Sequence, residues 1–319
     1  MAYMMRQVMF SAVLVSGGMV ALAGSQSTPT PKRINKAIEL LEQGQPIYYT
    51  QVNRGGYDEG LALAQTYADY ITYNLEHSAF DIASLEGFMR GLVEGGPTKS
   101  GHRTPTVICV LPVRGLDGPT MRANGWMVEQ VLSAGVHGVL LVHARSPDAA
   151  RAMVEAARLP RRAEAATVGL AEGLRGSGAQ GNAARIWGIS STEYLEVADP
   201  WPLNPDGEIL LGLKIEDRHA LENAEALTKV PGIGFAEWGP GDMAMSFGLS
   251  RNADGAWPAV LAAARARVLN ATKAAGIPFL NAVTPDNVEA MIDGGVMIGA
   301  ANEAAAERGR RHTGRTMPW

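Results

Sequence analysis

The chain predicts an α/β fold, a (β/α)8 barrel of the TIM type. Two observations carry this. Eight short apolar runs alternate with amphipathic or alanine-rich stretches from residue 32 to residue 300. At 319 residues and 46% hydrophobic, the chain can bury one large core, and such barrels run past 200 residues. No repeat of 20–50 residues is visible.

In order, a helix is expected over Lys32–Gln43, where Ile34, Ala37, Ile38 and Leu41 recur at helical spacing. The first strand is Pro46–Val52, followed by a helix Leu61–Tyr67 and a second strand Ala68–Asn74. Ile82–Leu92 reads as helix, 95–104 as a loop, and Val107–Leu111 as the third strand. The helix Met127–Ala134 leads to the fourth strand, Gly138–Val142. Pro147–Ala157 is helical, with Asp148 in its first turn. Residues 160–207 are rich in Gly, Arg and Pro and carry no clear period; long segments of that kind tend to be functional. Strands five and six are Ile209–Leu213 and Ile233–Ala236, around a helix containing Ala220, Leu221, Ala224, Leu227 and Val230. The alanine-rich helix Ala259–Ala275, the strand Ile277–Asn281, the helix Pro285–Asp293 and the strand Gly295–Gly299 complete the barrel.

The stretch Gly207–Gly248 concentrates the chemistry. It reads strand, helix, strand, with one carboxylate just past each strand end: Glu216 and Asp242. In a parallel barrel those ends share the face where active sites sit. The two acids are therefore placed to converge on one hard cation. The plainer reading makes both solvated acids at helix starts. His77 directly follows Glu76 at the end of the second strand and is able to titrate near neutrality. It is either a base or a loop histidine capping the helix near Asp81. The single cysteine, Cys109, lies in an apolar run and forms no internal disulfide; it reads as a small core residue.

The segments Leu213-Lys214-Ile215-Glu216 and Trp238-Gly239-Pro240-Gly241-Asp242 resemble the two metal-ligand motifs of the HpcH/HpaI aldolase family. The resemblance extends to Tyr70–His77, to Gly135–Pro160 and to Gly173–Gly176, and spans roughly residues 36 to 300. It implies a class II pyruvate aldolase, or a citrate-lyase-like relative. Glu216 and Asp242 would hold a divalent metal (Mg, Mn or Co) with open positions. A 2-keto acid chelates there, and the metal takes up enolate charge as a Lewis acid. His77 matches the family's catalytic base. Lys214, Gly239, Pro240 and Gly241 line the substrate. Gly241 lets the backbone approach closely, and its amide suits a carboxylate.

Four positions depart from the family pattern. Asn74 stands where an aspartate is usual, and supplies no charge, although it is able to orient an imidazole. The third strand, read as Val107–Leu111, lacks the arginine that binds the keto oxygen; Arg114, just past it, is the candidate. Lys214 replaces a glutamine. His143 replaces a proline at the end of strand four, and is either part of the site or a hydrogen-bonded strand-end histidine.

The expected activity is metal-dependent cleavage of a 4-hydroxy-2-oxo acid. The alternatives are a citrate-lyase-like enzyme acting on a carboxylate or coenzyme A thioester, and a secreted metal-binding protein without catalysis. Net charge is −4 with both signs interspersed, which gives no sign of nucleic-acid binding. Arg6, the apolar run Gln7–Leu22 and Ala21-Leu22-Ala23 form a signal-peptide pattern over residues 1–23, with a linker at 24–31. The expected location is thus periplasmic or secreted, without a membrane span after cleavage; the alternatives are an N-terminal helix that packs or anchors to a membrane, and a cytoplasmic location. Residues 301–319 read as a short helix and a basic, exposed tail. The resemblance implies a homo-hexamer in which C-terminal helices exchange between neighbouring barrels. Trp319, a large apolar surface, is expected to be buried, with the tail packed on a neighbouring subunit.

Overall fold

The computed structural model describes residues 31–160, 167–250 and 257–319. The expected signal segment 1–23 and the linker up to residue 30 lie outside them. Nine strands are present among the described residues: β1 Ile47–Val52, β2 Tyr70–Asn74, β3 Thr106–Arg114, β4 Gly138–Val142, β5 Pro200–Trp201, β6 Ile209–Ile215, β7 Phe235–Trp238, β8 Phe279–Ala282 and β9 Val296–Ala300. All except β5 form a closed parallel barrel, sealed where β4 pairs with β6. β5 is a two-residue addition beside the start of β6. The eight expected strands and the helices between them are all present.

Alternate side chains along each strand point into the barrel and out to the helices. Ile108, Val110, Leu140, Leu210, Phe235, Leu280 and Ile298 form the interior. Ile71, Tyr73, Cys109, Val139, Leu211 and Leu213 face the helices, so Cys109 is the small core residue expected. Gly212 makes room for the Phe235 ring, since a Cβ there would lie 2.2 Å from it.

One end of the barrel is plugged. Helix Lys36–Glu42 has Lys36 to Leu41 buried, and Ala37, Ile38 and Leu41 join the barrel interior. Asn35 caps it, accepting from the amides of Ala37 and Ile38 and donating to the carbonyls of His137 and Glu208. The opposite end, where the strands terminate, is left for chemistry.

The chain end corrects the sequence reading. Helix Glu303–His312 buries Ala305, Ala306, Gly309 and Arg310. Arg315 grips the buried carboxylate of Asp69 through two nitrogens at 2.8 and 2.6 Å, with only 1% of its side chain exposed. Arg310 approaches the same carboxylate at 3.4 Å, as does Lys36 at 3.4 Å. Arg308 and Arg311 do lie exposed, but Arg310 and Arg315 are drawn in because Asp69 offers a desolvated counter-charge. The Trp319 ring receives the Lys99 ammonium at 3.2 Å. The expectation of an exposed tail therefore fails at Arg310 and Arg315, which pack on their own barrel.

Three further differences have local causes. β3 runs three residues past Leu111, through Pro112, to end at Arg114. The helix expected around 220–230 breaks at Asn223 into Arg218–Glu222 and Ala224–Leu227. The described residues between 167 and 207 contain the α-helices Gln180–Trp187 and Ser191–Val197, besides β5.

Candidate active site

The open end of the barrel gathers side chains from β2, β4, β6 and β7. Lys214 and Glu216 follow Leu210 and Gly212 at intervals of two, so both project toward the barrel axis. Glu216 is fully buried. Its Oε1 accepts the backbone N–H of His143 at 3.0 Å. Its Oε2 is buried and has no hydrogen bond. Lys214 Nζ stands 3.5 Å from that oxygen, out of hydrogen-bonding alignment, and donates instead to Glu76 Oε2 at 3.1 Å. Burial raises the pKa of Glu216, with Lys214 opposing.

Glu76, His143 and Glu216 each place one ligand atom within 4.8 Å of the others. His143 is the sole non-glycine residue with positive φ among the described residues, at 45°. Its Nδ1 lies 3.2 Å from Asp217 Oδ2. Asp217 in turn receives Arg145 Nε at 2.9 Å and caps helix Arg218–Glu222 through its other oxygen. The hydrogen bond to Asp217 raises the pKa of His143, against burial. Burial disfavours the charge on Asp217, but His143, the Ala220 amide and Arg145 outweigh it and hold its carboxyl below the usual range. His143 is therefore part of the site.

Glu237 lies opposite Lys214 in the β6–β7 register and also faces inward. Burial pushes its carboxyl up to about 7, with Lys214 opposing and Glu216, Glu76 and Asp242 reinforcing. Burial works against the Lys214 ammonium, but Glu237, Glu216 and Glu76 raise its pKa and keep it charged.

The remaining candidates ring this centre. Asp242 sits in the first turn of helix Pro240–Ser246; it stands outside the tightest group, though its charge acts on both His143 and Glu237. Gly239 lies against Glu216, and a Cβ there would come 2.7 Å from Oε2. A Cβ on Gly241 would meet nothing within 4 Å, so the space before that backbone is open. His77 stands at the rim with 65% of its side chain exposed and Nε2 3.5 Å from Glu76 Oε2. Asn74 does not orient that imidazole: its Oδ1 accepts the backbone N–H groups of Glu76 and His77 at 3.0 and 3.3 Å, fixing the turn instead. Arg114 ends β3, exposed on the active face, so strand three does carry an arginine there.

Sequence reasoning missed Glu76, Asp217 and Glu237. Glu76 and Asp217 hide beside His77 and Glu216, where an adjacent acid reads as solvated. The cross-strand partnership of Lys214 with Glu237 appears only once the register is known.

The donor set fits a divalent cation. Two carboxylates and an imidazole converge beside a buried carboxylate oxygen that has no hydrogen bond, an arrangement a divalent cation satisfies. Residues 64–301 match the HpcH/HpaI aldolase/citrate lyase family. The chain belongs to that family. It is an aldolase-type lyase. A hydroxypyruvate/pyruvate aldolase from Paraburkholderia phytofirmans is 25% identical over 241 residues, covering 74% of this chain and 78% of that one. A 2-keto-3-deoxy-L-rhamnonate aldolase from Klebsiella pneumoniae is 31% identical over 128 residues, covering 40% of this chain and 41% of the relative. The crystal structure of a HpcH/HpaI family protein from Burkholderia cenocepacia J2315 shares the fold, with a TM-score of 0.64 at 22% identity, covering 88% and 98% of the two chains.

Proposed function

We propose that this protein catalyses the reversible cleavage of a 4-hydroxy-2-oxo acid to pyruvate and an aldehyde, with a divalent cation such as Mg, Mn or Co. The observation that carries the reading is the buried Glu216 carboxylate, which keeps Oε2 free of hydrogen bonds at the mouth of the barrel. Relatives named as pyruvate and hydroxypyruvate aldolases support the substrate class.

Glu216 and Asp242 would hold the cation, with Glu76 beside them. The cation, when bound, supplies Lewis-acid chemistry: it engages the keto acid and draws off the negative charge that develops at C3. The chain's own residues do the rest. Arg114, at the end of β3, offers a guanidinium to the keto acid's oxygens from the rim. The open space before Gly241 admits the substrate backbone to the site. In cleavage His77 takes the C4 hydroxyl proton as the C3–C4 bond breaks to release the aldehyde, and the enolate is protonated at C3 to give pyruvate. In the reverse direction His77 takes the C3 proton, and its exposure leaves it free to exchange that proton with water. Lys214 stays protonated between Glu76 and Glu216 and limits the repulsion among the acids.

Cleavage is tested by supplying a 4-hydroxy-2-oxo acid and following pyruvate with a coupled reductase. Pyruvate release that requires added cation supports the reading. Absence of release across 4-hydroxy-2-oxo acids of different length, with cation bound, removes it.

We further propose a homo-oligomer, on the family resemblance and on exposed apolar side chains such as Trp126 (45%) and Met245 (76%). Sedimentation at micromolar concentration tests this, and a monomer there contradicts it. The N-terminal pattern supports a periplasmic or secreted location. The mass of the protein recovered from its own cells tests that, and an intact Met1 contradicts cleavage.

A further inference from the structure

His143 is held in a way that a strand-end histidine does not need. Its backbone adopts φ 45°, a left-handed conformation uncommon outside glycine that tends to cluster at functional sites. That turn aims two groups at one carboxylate. The backbone N–H donates to Glu216 Oε1 at 3.0 Å, and the imidazole Nε2 stands 3.9 Å from the same oxygen. Asp217 Oδ2, at 3.2 Å, takes the Nδ1 side of the ring. A proton on Nδ1 leaves the Nε2 lone pair facing the site. A carboxylate behind the ring is the usual support of a metal-bound histidine.

The neighbouring atoms point to a ligand. Glu216 is fully buried, and its Oε2 has no hydrogen bond, only the Lys214 ammonium at 3.5 Å. Glu76 brings a third donor within 4.8 Å. Two donors about 2.1 Å from an octahedral cation lie about 3 Å apart, so closing the pair by about 1 Å brings Nε2 and Glu216 into one coordination sphere.

We infer that His143 Nε2 is a direct nitrogen ligand of the cation at Glu216. The inference rests on Glu216 being a metal ligand, and goes beyond it: the centre is a mixed nitrogen–oxygen site. Imidazole favours the later first-row metals, whereas carboxylate-only sites suit Mg and Mn. Among Mg, Mn and Co, the cation this chain selects is therefore Co in preference to Mg.

The test uses the full chain, its His143→Gly variant and its Glu216→Ala variant. Glycine keeps the positive φ without strain and keeps the N–H donated to Glu216. Titration calorimetry with Co2+ and with Mg2+ gives an affinity ratio for each protein. The ratio is expected to fall at least about tenfold in His143→Gly, the scale on which even outer-shell partners matter. In 15N-histidine-labelled protein loaded with Mn2+, spin-echo spectra should show an imidazole nitrogen coupling that His143→Gly loses. An unchanged ratio, or a coupling that survives the substitution, overturns the inference while leaving the metal site intact. If the parent and Glu216→Ala bind the ions equally, the metal site itself is absent and both readings fall.

Discussion

Gly239 stands directly against Glu216: a Cβ at 239 would lie 2.7 Å from Oε2 and 2.8 Å from Cβ of the glutamate. The loop leaving β7 thus rests on the carboxylate at the end of β6, and each fixes the other. Gly239→Ala should push Glu216 out of position and weaken cation binding about 10- to 100-fold, the cost typical of disturbing the support of a metal ligand. Calorimetric titration checks this, and parental affinity in the variant would show that Gly239 does not set the carboxylate.

Glu216→Ala should abolish stoichiometric metal, and Asp242→Ala should lower it sharply. Metal content of the purified proteins, measured by elemental analysis after dialysis against a divalent cation, decides this. Full occupancy in both variants would contradict the assignment.

His77→Ala should leave metal content near the parental value and slow pyruvate C3 proton exchange about 10²- to 10⁴-fold, the usual contribution of a general base. The rim position of His77, exposed and clear of Glu216, is why the two readouts should separate. Exchange at the parental rate would reduce His77 to a loop residue.

At the other end of the barrel, one buried carboxylate, Asp69, faces three cations, Lys36, Arg310 and Arg315. Lys36 Nζ and two Arg310 nitrogens have no hydrogen bond. Asp69→Ala should cost about 3–5 kcal/mol in chemical denaturation, because it strands buried charge. Lys36→Met should be near neutral, since two guanidinium groups remain. The signs with pH follow. Burial works against ionisation of Asp69, but Arg315 and Lys36 outweigh it and hold its pKa below the usual range. Its contribution is fully present above about pH 4 and is lost as pH falls through the lower folded value. Burial depresses Lys36 to about 8. The unfolded chain then binds more protons between about pH 8 and 10, so stability should rise across that interval and the rise should vanish in Lys36→Met. A parent whose stability is flat there would contradict the placement of Lys36.

The barrel was legible because its strands are apolar runs separated by helices of ordinary length. Ala259–Ala275 was read to the residue, since alanine-rich sequence runs to Gly276, which takes the left-handed cap at φ 70°. Arg114 was left off its strand because Pro112 reads as a breaker, whereas in β3 it sits at a register irregularity that tolerates it. The tail was misread because local sequence shows four arginines and no partner; Asp69 lies more than two hundred residues away in the chain. Glu216, Asp242 and His77 stand out in the sequence by position after a strand. Their neighbours Glu76, Asp217 and Glu237 do not, because pairing across strands is invisible until the register is set.

Residues at the barrel mouth, with a divalent cation, should make the C3 protons of a keto acid labile. The most direct test is proton NMR of pyruvate in heavy water with the purified protein. The methyl signal should decay only when Mg2+, Mn2+ or Co2+ is added, and should persist with Glu216→Ala under the same conditions. A signal that stays unchanged under all three cations, while calorimetry shows them bound, would contradict the claim.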